Sequence, residues 1–335
     1  MPEHSELIII GAGPGGYETA LEAAREGKSV TLFNGGALGG TCLNEGCIPT
    51  KCLCHDSEVV NKFKHADEFG IDDFTFAVDF NKIIARKKEV TDTLRSGIET
   101  MLKQAKVNVV NAKASFKDDR TIVADGTEYT ADNIIIATGS VSKSLPIPGH
   151  DAEYVMDSTD ILNIEYIPAS LTIIGGGVIG MEFASIFAGL GSKVTVIEYM
   201  KQILPPFDSD IAKRLKQSLT KRGVTIITGA AAKSISQTDD YEIEVTYEAK
   251  GKEEKVISTD LLMAVGRSPR VDGLNLEAAG VTYSSKGIPV DDDMRTNVNH
   301  IFAIGDVNAK MMLAHVASFQ GKRALNAING KSDKI

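Results

Sequence analysis

An apolar strand that runs straight into a Gly-x-Gly-x-x-Gly turn restricts the folds open to a chain, and this sequence contains the pattern twice. Glu6-Leu7-Ile8-Ile9-Ile10 leads into Gly11-Ala12-Gly13-Pro14-Gly15-Gly16, and Ser170-Leu171-Thr172-Ile173-Ile174 leads into Gly175-Gly176-Gly177-Val178-Ile179-Gly180. An amphipathic stretch follows each turn, predicted as helix over 17–26 and 181–190. A second apolar strand follows each helix, over 29–33 and 193–197. This is the βαβ unit that binds dinucleotides. Its first glycine makes the tight turn, its second lets the backbone approach a pyrophosphate, and its third lets helix and strand pack closely. The helix then aims unpaired N–H groups at the phosphates. In both copies, 23 positions from the first glycine lead to the end of the second strand, at Asn34 and at Glu198. Glu198 is an acid where a ribose 2′-hydroxyl would bind. A 2′-phosphate there would meet like charge, so the second copy is expected to prefer a dinucleotide whose ribose carries a free 2′-hydroxyl.

The other informative stretch is Gly39-Gly40-Thr41-Cys42-Leu43-Asn44-Glu45-Gly46-Cys47-Ile48-Pro49-Thr50-Lys51. Five positions of α-helix advance about 7.5 Å, whereas a disulfide needs its Cα atoms within roughly 7 Å. Cys42 and Cys47 therefore cannot both lie in one regular helix and bridge. Gly39, Gly40 and Gly46 permit a tight loop, and Pro49 suits the first turn of a following helix. One reading is a redox pair at a helix start, where thiolate is favoured. The other is two buried thiols of a reducing compartment. Cys52 and Cys54 complete the cluster, but C-x4-C-x4-C-x-C fits no usual zinc or iron–sulfur spacing, so no metal is expected. These two read as packing or incidental thiols.

The thirteen-residue run, with its two glycine turns, resembles the class I flavin-dependent pyridine nucleotide–disulfide oxidoreductases, and within them the dihydrolipoyl dehydrogenase branch. The resemblance covers nearly all of the chain. It implies an α/β fold with two Rossmann-like dinucleotide-binding domains, the FAD domain being discontinuous. The domains implied are 1–149 (first FAD segment with the redox disulfide), 150–271 (NAD) and 272–335 (second FAD segment). FAD is then expected at Gly11, Gly13, Pro14, Gly15, Gly16, Asn34, Gly40, Thr41, Lys51 and Ala114, at Thr138 and Gly139 of the Ala-Thr-Gly turn, and at Asp306 and Ala314. NAD is expected at Gly175, Gly177, Val178, Ile179, Gly180, Glu198 and Gly266. By the same resemblance Cys47 is the thiol against the flavin and Cys42 the one that meets substrate, with Lys51 and Glu182 an ion pair beside the flavin. Asn34 departs from the family, which has Glu there. It either accepts from the FAD ribose through its carbonyl oxygen or merely opens an Asn-Gly-Gly turn.

The implied reaction is dihydrolipoamide plus NAD+ giving lipoamide plus NADH. The partner would be a small dithiol or disulfide, in particular a lipoyl group on a carrier protein. Other class I reductases, for glutathione, mercuric ion or a small thiol, and a non-turnover flavin-binding redox module, remain as alternatives. The family's C-terminal interface domain, with its His and Glu acid–base pair, has no counterpart up to Ile335. A fragment or a truncated form is therefore expected, and for this chain dye reduction retained, poor lipoamide turnover and a doubtful homodimer. The net charge of −9 and the scattered Lys and Arg argue against a nucleic-acid partner. No apolar run nears the roughly 20 residues of a membrane span, and no basic signal region opens the chain. A cytoplasmic location is expected.

Overall fold

The computed structural model describes residues 3–73 and 75–331. The chain opens with β1 (Glu3–Ile10), α1 (Pro14–Arg25) and β2 (Val30–Phe33), then α2 (Gly40–Asn44), α3 (Cys47–Lys64) and α4 (Phe80–Gln104). Next come β3 (Asn108–Val110), β4 (Ala114–Phe116), β5 (Thr121–Ala124), β6 (Thr127–Ile136), β7 (Ser140–Ser142) and β8 (Val155–Met156). The second copy of the repeat supplies β9 (Ser170–Ile174), α5 (Val178–Leu190), β10 (Lys193–Glu198), α6 (Ser209–Lys221) and β11 (Thr225–Thr228). A meander of β12 (Ala230–Gln237), β13 (Ile243–Ala249) and β14 (Lys252–Ser258) precedes β15 (Asp260–Met263). The chain continues through β16 (Arg267–Pro269), β17 (Ile301–Ala303) and α7 (Ala314–Ile328).

Two compact units result. The first takes the chain up to Cys47, Thr91–Val141 and the part from Arg267 on; the second takes Ile48–Val90 and Ser142–Gly266. In the first, β3, β2, β1 and β6 lie side by side in parallel, and β17 joins β6 in parallel. The hairpin β4–β5 extends the sheet antiparallel to β6. In the second, β11, β10, β9, β15 and β8 form an all-parallel sheet, and the meander forms a separate antiparallel one. Leu7, Ile8, Ile9 and Ile10 are all buried, as are Leu171, Ile173 and Ile174. Such unbroken apolar runs mark strands covered on both faces, the rule for parallel sheets. The expected class, α/β with two Rossmann-like domains of which the first is discontinuous, is the class observed, and the second unit is discontinuous as well.

Both repeat helices start three residues before the predicted position. Tyr17 N–H donates to Gly13 O and Met181 N–H to Gly177 O, each at 2.9 Å, so the end of the glycine turn is already helical. In the first unit α1 packs against α7, with Gly15 on Ala317. Among the described residues, no helix is long and apolar enough to cross a membrane.

Candidate functional site

In the thiol run the helix breaks where the two cysteines demanded it. Cys42 lies in α2 and Cys47 is the first residue of α3, with Glu45 and Gly46 between them. A Cβ on Gly46 would stand 2.9 Å from Thr41 O and 3.4 Å from Cys42 Cα. The missing side chain therefore lets the backbone before Cys47 fold back on that of Cys42. Pro49 is buried in the first turn of α3. Cys47 is exposed and Cys42 half-buried. At the start of an 18-residue helix, Cys47 sits where the dipole favours a thiolate. Asn44 fixes the loop by donating to Leu38 O and Gly40 O, each at 2.9 Å, and it accepts from Arg95 Nε at 3.0 Å. Sequence reasoning passed over Asn44, Arg95 and also Tyr17, half-buried on α1. Burial pushes the Tyr17 hydroxyl up to about 12, and charge on Glu18 and on Cys42 acts the same way.

The first glycine turn adjoins this loop. Gly39 N–H donates to Ala12 O at 2.9 Å, and a Cβ on Gly40 would lie 2.6 Å from Gly13 Cα. Gly13 itself faces open space, its nearest neighbour being Gly40 Cα at 3.9 Å from a built Cβ. No side chain caps α1 at Gly13, so its first N–H groups stay available to an anion. A pyrophosphate fits that cradle.

Beyond β6 and β17, on the same edge of the sheet as the first glycine turn, Ser140 Oγ donates to Asp306 Oδ2 at 2.6 Å and accepts from Arg267 Nε at 2.7 Å. Gln320 Oε1 holds the turn around Asp306, accepting from Gly305 N–H at 2.7 Å and from Asn308 Nδ2 at 2.9 Å. Thr138 donates to Arg270 O at 2.7 Å, Gly139 takes a positive φ of 75°, Ala114 is buried in β4, and Ala314 opens α7. Asn34 is 7% exposed, and its amide donates to Gly36 O and to Asn111 Oδ1, each at 3.0 Å. The turn is thus made, and the carbonyl oxygen is still an acceptor.

In the second unit, Glu198 ends β10 and is 7% exposed. Its two oxygens accept from Gly176 N–H at 2.5 Å and Met200 N–H at 2.6 Å. A Cβ on Gly176 would crowd the Glu198 side chain at 3.1 Å, which is why the middle position of this turn is also glycine. Gly177 faces open space, no side chain caps α5, and Val178 is exposed at its start with Ile179 and Gly180 following. Gly266 has a φ of 108° and accepts from Lys143 N–H at 3.0 Å. Lys51 and Glu182 form an ion pair. Cys54 stands beside them: burial raises its thiol to about 11, and Glu182 adds to that while Lys51 opposes it. Cys52 is buried and its thiol is raised by the same cause. Among the described residues, no three His, Cys, Asp or Glu side chains gather as they would around a metal ion.

Two predictions follow from this packing. Gly13→Ala and Gly177→Ala should leave thermal stability nearly unchanged, because neither new methyl meets anything closer than 3.9 Å. Gly13→Ala should nonetheless lose FAD, and Gly177→Ala should keep FAD but lose NADH binding; thermal melting and flavin absorbance check both. Iodoacetamide at neutral pH, applied to the reduced protein, should alkylate Cys47 well before Cys52 or Cys54. Burial raises both of those thiols, Cys54 to about 11, so they hold little thiolate there. Peptide mass mapping over time reads the order, and early labelling of Cys54 would contradict it.

Comparison with known proteins agrees with this geometry. Residues 5–321 match the family described as "Pyridine nucleotide-disulphide oxidoreductase". Dihydrolipoyl dehydrogenase of Bacillus subtilis is 43% identical over 335 residues, covering 98% of this chain and 72% of that protein. Dihydrolipoyl dehydrogenase of Staphylococcus aureus is 40% identical over 340 residues, covering 100% of this chain and 72% of its own length. Among solved structures, the HOCl-induced flavoprotein disulfide reductase of Escherichia coli superposes with a TM-score of 0.87 at 32% identity, covering 98% of this chain and 72% of that one. Coverage and identity of this order place the chain in the class I pyridine nucleotide–disulphide oxidoreductase family, as an FAD- and NAD-dependent disulfide oxidoreductase of the type to which dihydrolipoyl dehydrogenases belong.

Proposed function

We propose that the chain oxidises dihydrolipoamide with NAD+, and runs the reverse reaction with NADH, through a disulfide between Cys42 and Cys47. The observation that carries this is the helix break at Glu45–Gly46, which sets Cys47 at the head of α3 and folds its backbone back on Cys42. The substrate assignment draws support from relatives named dihydrolipoyl dehydrogenase that align with nearly the whole chain at 40–43% identity.

Each residue has a task in this reading. A substrate thiolate attacks Cys42 Sγ, and Cys47 leaves as thiolate, favoured by the α3 N-terminus. The second substrate thiolate attacks the substrate sulfur of the mixed disulfide, and Cys42 leaves. Two electrons have then passed to the cysteine pair, and the substrate is a disulfide. Bound FAD supplies the two-electron carrier between this dithiol and NAD+. Gly11 and Gly13, with Pro14, Gly15 and Gly16 in the first turn of α1, would hold its pyrophosphate, together with Gly40, which lies against Gly13, and Thr41. Asp306 orients the ribityl chain, with Ser140 and Arg267 holding that carboxylate. Lys51, held by Glu182, would offer a bound flavin a fixed cation. Gly175, Gly177 and Gly180 cradle the NAD pyrophosphate, and Glu198 receives its ribose. The first unit thus carries most of the FAD contacts and the second the NAD contacts.

The test is turnover on paired substrates. Purified protein is assayed with NAD+ and dihydrolipoamide, then with NADH against lipoamide and against oxidised glutathione. Lipoamide turnover above the glutathione rate supports the proposal. Glutathione turnover alone would move the chain to another disulfide reductase of the same family.

A further inference from the structure

Parallel pairing of β2 with β3 sets Phe33 beside Val110, so Asn34 and Asn111 leave the sheet as neighbours. Asn34 N–H donates to Val110 O at 2.8 Å, which locks its backbone. Its side-chain amide has two hydrogens. One goes to Gly36 O and the other to Asn111 Oδ1, each at 3.0 Å. A backbone carbonyl cannot donate, so Gly36 fixes which way the Asn34 amide points. Asn111 must then present its oxygen. With both hydrogens used, Asn34 has only its own oxygen left, as an acceptor. It stands where a dinucleotide fold reads ribose hydroxyls, usually with a carboxylate. A carboxylate has no hydrogen to give and could not donate to Gly36 O.

We propose that Asn34 and Asn111 form a paired-amide anchor for the ribose diol of the FAD adenosine, with Asn111 a positioning residue that aims the Asn34 oxygen. The inference rests on the placement of FAD at the first glycine turn. The anchor recognises the sugar by a hydrogen bond without charge. Asn111 acts only through Asn34, so the two side chains are energetically coupled.

The test uses the full chain stripped of FAD, with flavin rebinding followed by fluorescence. Wild type is expected to bind FAD, Asn34→Ala about tenfold more weakly and Asn111→Ala about fivefold more weakly, as a lost ribose hydrogen bond implies. The double variant should bind as Asn34→Ala does. ADP should displace FAD from wild type better than 2′,3′-dideoxy-ADP, and the two should become equal on Asn34→Ala. A general loosening of the loop would weaken both competitors and leave their ratio alone. Asn34→Asp should bind FAD no more tightly than wild type, because Gly36 O loses its donor. An unchanged Kd in Asn111→Ala, a tighter Asn34→Asp, or no preference for ADP in wild type would each overturn the inference. Wild-type protein that rebinds no FAD would overturn the cofactor placement beneath it instead.

Discussion

With Cys42 replaced by serine, NADH-driven lipoamide reduction should fall by more than about a thousandfold, the scale of losing a catalytic nucleophile. Serine has no accessible anion at neutral pH and cannot form a disulfide. Cys47→Ser should do the same, because the exchange needs both sulfurs. Electron transfer from NADH to an artificial dye bypasses the cysteine pair and should stay within about threefold of wild type, with FAD still bound; a change of that size is under 1 kcal/mol in barrier. Parallel assays with lipoamide and dye separate the two routes. Lipoamide turnover surviving in Cys42→Ser would show that another thiol does the exchange, and Cys54, beside Lys51 and Glu182, would be the first to examine.

Reduction of the bound flavin by NADPH should lag that by NADH by about a hundredfold or more. Like-charge contact at a buried group costs several kcal/mol, and Glu198 is 7% exposed. The carboxylate cannot swing aside, because Gly176 N–H and Met200 N–H hold its two oxygens. For the same reason Glu198→Arg should slow NADH strongly before it helps NADPH. The exchange removes the acceptor from two backbone donors and drives a long side chain against Gly176. Stopped-flow single turnovers with each nucleotide measure the ratio, and equal rates in wild type would place the discriminating group elsewhere.

Much of this architecture is legible in the sequence for a local reason. A glycine turn between apolar strands allows few backbone paths, so both repeats and their glycine roles could be read in place. Asp125-Gly126, a hairpin signal in itself, joins β5 to β6, and both residues take positive φ, at 47° and 77°. The helix starts were misplaced because Pro14-Gly15-Gly16 reads as turn chemistry, yet proline suits a first helical turn. What stayed hidden depends on distant pairings. Nothing near Asn34 in the chain points to Asn111; only the register of β2 on β3 joins them. Ser140, Asp306 and Arg267 come from three segments, and Gly176 sits at a position the glycine pattern leaves open, where only the fold brings Glu198 against it.

The discontinuity of the first unit carries a consequence for synthesis on the ribosome. Its sheet is begun by β1, but β17 and α7, which complete it, follow the whole of the second unit in the chain. The second unit needs nothing beyond Gly266. Domains fold as units, in the order in which their residues emerge. Of the two units, the one that starts first must therefore finish last, with the β6 edge that pairs with β17 and the α7-facing side of α1 uncovered in the meantime. That interval is when the nascent chain is most exposed to aggregation, and a chaperone acting on it would find its target in the first unit.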